Sequence, residues 1–519
     1  MTQTTPRYFS KSQFTRGMQC SKSLYLYRAK TVPADPITPD LQDRFDAGNR
    51  VGVLAQKWLP GGVIIKADHT DPERALTETA VALASGIQVI YEAAFLHDDV
   101  LVRVDILAKG PGGVWDIYEV KSTKDVEDVY LLDAAIQRYV AEGAGMTIGV
   151  THVVHLNPGY VRQGALDLKQ LFLAVDVNEE TAKILPAIPA ELVRMKTTSA
   201  MDKPPEVAIA GHCTKPHDCS FIGHCWAKVP DYSVFNLAGA RMDKKTDLWN
   251  KGIKTIDAIP DCTCKPTAKK CTCGNKLTAY QSIQRRVAKE QWAFINPAGI
   301  RELLKQLAYP YHYVDFEAVA PPIPAYDGTR PYQQLPFQAS IHYQEADGAP
   351  LQHFEYLADG TRDPRPELVD FLRGHIKDHG SVIAYYKSYE GAMLKMLAAM
   401  QRDGSQAAAD LLSAEARLWD ACDAFRLAHW AAPGFEGSYS IKKVLPILVP
   451  EMTYKGMAVA DGLAAMRAYA RLMDPRTTPE ERAKIMADLK AYCGQDTLAM
   501  VRIVDKQKEA AGTAKEANA

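Results

Sequence analysis

Apolar and polar residues alternate along 100–107 (VLVRVDIL) and again along 114–122 (VWDIYEVKS), and the Gly-Pro-Gly-Gly run 110–113 separates them. Strict alternation is the pattern of a half-buried strand, so the two runs predict a β-hairpin preceded by another strand at 87–95 (IQVIYEAAF). A second aromatic-rich strand is predicted at 309–319 (YPYHYVDFEAV), followed by strand, turn and helix along 381–397 (SVIAYYKSYEGAMLKML). Residues 489–504 (LKAYCGQDTLAMVRIV) repeat apolar positions every three or four residues and predict an amphipathic helix. Strands interleaved with helices make the chain an α/β protein.

At 519 residues the chain exceeds what one core normally serves. Hydrophobic residues at 47% and charged ones at 24% are the balance of a soluble globular protein. No apolar run approaches the ~20 residues a membrane helix needs, and the start lacks a signal-peptide layout. A cytoplasmic protein with no membrane partner is expected. The net charge of −1, from 61 basic and 62 acidic residues, excludes a generally basic nucleic-acid binder, so any such role must rest on local sites.

The ten cysteines change the picture. A reducing compartment argues against a disulfide framework and toward ligation. Cys422 and Cys493 sit in apolar helical contexts and read as buried core thiols. Cys20, Cys213, Cys219 and Cys225 form one group, a lone early cysteine followed by C-x5-C-x5-C in a polar, turn-rich segment (HCTKPHDCSFIGHCW, 212–226) that could hardly build a core unaided. The spacing of five is wider than in zinc fingers, and a distant ligand with three clustered ones suits an iron–sulfur cluster, expected as [4Fe–4S], that clips the ends of a domain together. Cys262, Cys264, Cys271 and Cys273, two C-x-C elements in a lysine-rich loop, are either a zinc (Zn²⁺) knuckle or an exposed insertion without metal.

Within the hairpin, Asp105 can face Glu119, while Glu119 and Lys121 emerge on one face and Val120 on the other. Two carboxylates and a carbonyl can hold Mg²⁺ or Mn²⁺, and a lysine can stabilise attacking hydroxide or the growing charge on a phosphate. A D…ExK hairpin bracketed by one upstream and three downstream cysteines resembles the RecB-like PD-(D/E)XK nucleases with an iron–sulfur staple, including the CRISPR-associated ones, over about residues 9–226. The entry segment FSKSQFTRGMQCSKSLYLYR resembles that family's opening helix, whose cysteine, here Cys20, is the first cluster ligand. The resemblance implies that Gln137 and Tyr139 in DAAIQRYV help position DNA. It also implies a metal-binding histidine on an early helix, where FDAGNRVGVLAQKW has Gly52; Glu92 is the candidate replacement carboxylate, or else a satisfied strand acid.

Asp315 and Glu317 share one face of the second aromatic strand, where burying two carboxylates is costly unless cations compensate them. Glu390 lies near a helix start, and Tyr492 and Asp496 stand at i and i+4 on one helix face. Four carboxylates can hold two divalent ions, with the tyrosine orienting water. Order and spacing resemble the tyrosine-bearing DEDD exonucleases over about residues 307–506, with a ribonuclease-H-like fold implied. Glu390 departs from the usual aspartate, with Asp420 in reserve. The two halves together resemble an uncharacterised bacterial domain-of-unknown-function family that fuses a RecB-like nuclease to an exonuclease-like domain.

Between the halves, TDLWNKGIKTIDAIP (246–260) reads as a helical connector or as half of a helix-hairpin-helix with its turn at Gly252, and residues 265–286 form a basic stretch. The expected organisation is a PD-(D/E)XK nuclease domain at 1–229 with the four-cysteine cluster, a helical connector at 230–309, a ribonuclease-H-like domain at 310–508 and a disordered polar tail at 509–519, disorder beginning near Lys506. The expected function is metal-dependent hydrolysis of phosphodiester bonds in nucleic acid, DNA foremost, at two separate sites, the second a 3′-5′ exonuclease. The alternative is a nucleic-acid-binding scaffold or redox-sensing iron–sulfur protein with little hydrolytic activity.

Overall fold

A computed structural model describes residues 8–68, 70–262, 275–402 and 404–512. The chain is mixed α/β and divides into two compact units, Met1–Lys228 with Pro321–Gln333, and Val229–Ala320 with Gln334–Ala519.

The first unit is built on a seven-stranded sheet of β1 (Phe9–Ser10), β2 (Val63–Ile64), β3 (Val89–His97), β4 (Val100–Lys109), β5 (Trp115–Val120), β6 (Ile148–Leu156) and β7 (Phe172–Asp176). β3, β4 and β5 run antiparallel, β6 is parallel to β5, and β1 adds parallel to β4. The β4–β5 hairpin turns at Gly112 and Gly113, whose φ of 76° and 83° lie where a side chain is disfavoured. On β4, Val100, Val102 and Val104 point into the core with Ile117 of β5 and Ile136 and Val140 of the Asp128–Gly143 helix. Period-two alternation thereby leaves Leu101, Arg103 and Asp105 on the half-buried face. Val120 packs at the edge of a satellite cluster with Leu156 and Phe172. The Pro321–Gln333 segment, which in sequence follows the second aromatic strand, belongs to this unit, and Tyr332 Oη lies 2.8 Å from the hydroxyl of Ser122, next to Lys121.

The second unit contains β8 (Phe294–Ile295) and β14 (Trp430–Ala431), paired together, and a five-stranded sheet in the order β11 (Gln352–Leu357), β10 (Leu335–Gln344), β9 (Tyr311–Val319), β12 (Ser381–Ala384), β13 (Leu418–Asp420). β9, β10 and β11 are antiparallel, while β12 and β13 run parallel to β9. Val314, Phe316 and Ala318 face a core with Leu368, Leu394 and Leu411 from three helices. Alternation sends Asp315 and Glu317 to the opposite face. The 32-residue helix Pro479–Ala510 packs against β9 and β10, started by a capping box in which Thr478 and Glu481 satisfy each other's backbone amides.

One expectation is corrected here, and at Gly252 one of two open readings is decided. Disorder does not begin near Lys506, because Gln507 is buried and donates from Nε2 to Ala421 O at 2.8 Å, holding the helix to Ala510; residues 513–519 lie outside the described residues. The Gly252 turn is a helix C-cap, its amides not free for phosphate: Gly252 N donates to Trp249 O (3.0 Å) and Ile253 N to Leu248 O (3.1 Å). Residues 230–309, read as a connector, fall within the second unit. Among the described residues, no helix is long and apolar enough to cross a membrane.

Candidate active sites

The β4–β5 register pairs Ile106 with Tyr118, and one step further places Asp105 opposite Glu119. Glu119 is 1% exposed and is the hub of the site. Its Oε1 receives Lys121 Nζ at 2.7 Å and Lys11 Nζ at 2.5 Å, and its Oε2 accepts from Gln137 Nε2 at 2.5 Å. Lys121 is also held by Asp133 Oδ2 at 2.5 Å, and Asp105 Oδ2 accepts from Val120 N at 2.7 Å. Burial alone would raise the Glu119 carboxyl, but the two ammoniums outweigh it and keep it well below the usual range. Asp105 has no ion pair among the described residues; burial and the Glu119 charge push it up to about 8. Lys121 is raised, since Glu119 and Asp133 overcome the burial that would lower it.

Gln137 is fully buried on Glu119, so it orients that carboxylate. Tyr139 is elsewhere, its hydroxyl on Asp98 and its ring beside His97. Glu92 has φ 61° between the β3–β4 pairs Tyr91↔Ile106 and Ala93↔Val104, which puts it opposite Asp105, and Arg103 Nε meets it at 3.2 Å. It is therefore a satisfied strand acid close enough for its charge to act on Asp105. Lys11 and Asp133 were not singled out from sequence. Asp133 stands one helical turn before Gln137, a spacing that could have found it; Lys11, 108 residues from Glu119, left no local signal.

The four cysteines of the first group line one pocket. Cys20 sits between the helices Lys11–Gln19 and Ser21–Ala29, and Cys213, Cys219 and Cys225 follow one another around a tight loop closed by Cys219 N→Cys213 O at 2.9 Å. Gln19 fastens that loop by donating from Nε2 to His212 O and His217 O, each at 2.7 Å. All four are free thiols, and burial pushes those of Cys20 and Cys225 up. Four thiols aimed at one pocket, unbridged by disulfides, are a donor set that fits a thiolate-held metal or cluster. Of the second group, Cys262 is exposed, and Cys264, Cys271 and Cys273 lie outside the described residues.

In the second unit, ligand oxygens of Asp315, Glu317 and Asp496 lie within 4.8 Å of one another. They open into a cavity of about 310 Å³ that Glu390 and Tyr492 also line. Burial, with neighbouring carboxylates, raises Asp315 well above its ordinary range, raises Glu317 to about 8 and raises Asp496 to about 6. Asp496 is raised less because the phenols of Tyr454 and Tyr492 donate to it. Glu390 is buried, its Oε2 without a hydrogen-bond partner among the described residues, and it lies outside the three-residue group. Acids packed this closely, with a buried carboxylate lining the same cavity, fit divalent cations.

Asp420 does not join this cluster. It accepts from Tyr386 N (3.0 Å), Lys387 N (3.3 Å) and Cys422 N (3.0 Å), pinning the left-handed Tyr386 (φ 71°) at the start of the Lys387–Ala399 helix that carries Glu390. Cys422 and Cys493 are both fully buried, as expected, yet Cys493 Sγ lies 3.5 Å from Asp315 Oδ2 and so borders the site. Tyr454 was missed from sequence because the loop holding it has no periodicity to align it with Asp496.

Residues 312–440, which carry Asp315, Glu317 and Glu390, match the family described as a domain of unknown function, DUF2779. The chain is also 26% identical over 223 residues to the uncharacterized protein UU173 of Ureaplasma parvum serovar 3, a match covering 39% of this chain and 32% of that protein. The chain thus spans about a third of the length of the curated relative it matches.

Proposed function

We propose that this chain is a metal-dependent nuclease with two active sites, one around Asp105, Glu119 and Lys121 and the other around Asp315, Glu317, Glu390 and Asp496. The observation that carries the reading is the convergence of Asp315, Glu317 and Asp496 within 4.8 Å beside two phenols. Strand order supports it. Numbering the strands of the second sheet in their chain order, the arrangement is 3-2-1-4-5 with the second strand antiparallel, as in a ribonuclease-H-like domain. The first unit's helix, three antiparallel strands, helix and parallel strand is the core order of a PD-(D/E)XK domain, and it places the acids and lysine at the end of one hairpin.

Magnesium or manganese bound by these carboxylates supplies a lowered pKa for attacking water and charge stabilisation on phosphate. The rest falls to the chain. Water oxygen bonds to phosphorus, the phosphorus–oxygen bond to the departing nucleotide breaks, and the departing oxygen collects a proton. Lys121, held between Glu119 and Asp133, presents its ammonium where charge grows on the phosphate. Gln137 keeps Glu119 turned toward the site. Tyr492, kept protonated by burial and by the neighbouring acids, orients water beside Asp496. Cys20, Cys213, Cys219 and Cys225 would hold an iron–sulfur cluster whose role is to tie the opening helix to the end of the domain. DNA is the proposed substrate.

The reading is tested by incubating labelled single- and double-stranded DNA and RNA with the purified protein and Mg²⁺ or Mn²⁺, beside a double variant, Asp105→Ala with Asp315→Ala. Metal-dependent cleavage lost in the double variant supports it. Equal cleavage by both preparations, or none by either, sinks it.

A further inference from the structure

Lys11 is the first residue of the opening helix, and its position is fixed from both ends. Before it, Phe9 and Ser10 pair with Val100 and Leu101, which are on the strand that carries Asp105, and Ser10 Oγ caps the helix by accepting from Gln13 N at 3.2 Å. Inside it, Gln13 accepts from Arg28 Nη1 at 2.6 Å. Beyond it, Gln19 is fastened to the cysteine loop and Arg194 Nη2 donates to Gly17 O at 3.0 Å. A nine-residue helix is a rod of about 13 Å that delivers Lys11 to the catalytic hairpin with little freedom to move.

There, two ammoniums share one oxygen of Glu119, but they are not equivalent. Lys121 has a second carboxylate, Asp133, whereas Lys11 makes its one ion pair with Glu119 among the described residues. A cation that takes Glu119 Oε1 therefore displaces Lys11 first. The displaced ammonium stays within a side chain's reach of the same point, because its backbone is clamped, and the partner then offered to it is the phosphate held by that cation.

We propose that Lys11 is a second lysine of the N-terminal site, one that yields Glu119 to a divalent ion and then contacts a non-bridging oxygen of the scissile phosphodiester. The proposal rests on the nuclease reading. Lys11 and the divalent ion compete for one oxygen in the free protein and cooperate on one phosphate in the complex. Removing Lys11 must therefore change metal affinity and turnover in opposite directions, which a purely structural lysine would not do.

The test compares Lys11→Ala and Lys11→Arg in full-length protein carrying Asp315→Ala, which silences the other site. Two quantities are read: Mn²⁺ affinity by calorimetry without nucleic acid, and cleavage kinetics on labelled DNA. Lys11→Ala should bind Mn²⁺ about threefold more tightly, since a competing cation is gone. Its kcat should fall about 100-fold with KM little changed, and Lys11→Arg should recover part of the rate. Unchanged kcat in Lys11→Ala overturns the proposal, as does a fall in rate that arginine does not relieve and that tracks an equal loss of melting temperature in both variants. If the Asp315→Ala parent shows no cleavage that Asp105→Ala removes, the nuclease reading of this site is what fails. The Mn²⁺ titration then decides the competition alone, an unchanged affinity overturning it.

Discussion

Lys121 Nζ lies 2.5 Å from Asp133 Oδ2, so the lysine of the β4–β5 hairpin is anchored by a carboxylate on the helix behind it as well as by Glu119. An ammonium held from two sides keeps one direction when substrate arrives. Lys121→Ala should lower kcat of the N-terminal activity by about 100- to 1000-fold while DNA binding persists, and Asp133→Asn should cost less. Binding by fluorescence anisotropy alongside single-turnover cleavage checks this; equal loss of both in Lys121→Ala would count against a transition-state role.

The two sites should act independently, since each assembles from the strands of its own unit. Asp315→Ala should abolish stepwise removal of terminal nucleotides and spare the other activity, and Asp105→Ala should do the reverse. Product ladders on end-labelled DNA distinguish the outcomes. If either single variant eliminates every product on every substrate, the chain has one composite centre.

Tyr492→Phe should slow the C-terminal activity about 10- to 100-fold while Mn²⁺ still binds, because the phenol donates to Asp496 and, in the proposed reaction, orients water without ligating the ion. Tyr454 also donates to Asp496, so Tyr454→Phe together with Tyr492→Phe should raise the pH at which that carboxyl ionises. Mn²⁺ titration across pH reads both effects, and metal loss in Tyr492→Phe alone would assign the tyrosine a different role.

Asp105 and Glu317 are raised to about 8 and Asp496 to about 6, so the folded protein without metal holds protons that the unfolded chain has lost by pH 5. Stability from these groups is full below the ordinary carboxylate range and is lost as pH rises through about 6 to 8. Divalent ions bind the ionised forms, so the rise in melting temperature on adding Mn²⁺ should be small at pH 5 and grow to pH 8. Calorimetry in matched buffers measures it, and a pH-independent increment would dissociate these acids from metal binding.

Cys213→Ala in protein purified without air should bleach the brown colour of an iron–sulfur cluster and lower the melting temperature, because the segment 212–226 that carries three of the cysteines is mostly polar, with Phe221 its buried large apolar side chain. Iron and zinc analysis decides the ligand: stoichiometric zinc without iron rules the cluster out.

Much of this protein was legible along the chain. Alternation located the β4–β5 hairpin and β9, and it assigned Asp315 and Glu317 to one face because a strand turns every second side chain the same way. The i, i+4 spacing put Tyr492 and Asp496 on one helix face, and clustered thiols marked Cys213, Cys219 and Cys225, since each signal is local. Other positions had no such signal. Lys11 reaches Glu119 across 108 residues, Cys493 borders Asp315 rather than only filling core, and Asp420 caps a strained turn instead of facing the carboxylates. Pro321–Gln333 joins the first unit although its flanking strands belong to the second. Sequence by itself determined the local elements and the residue types offered to chemistry, because backbone periodicity and side-chain polarity act over a few residues. Only the tertiary structure decided which of those residues meet, because burial is cooperative across the fold: a lysine at one end of a clamped helix and a carboxylate at the end of a hairpin become partners when the surfaces between them close.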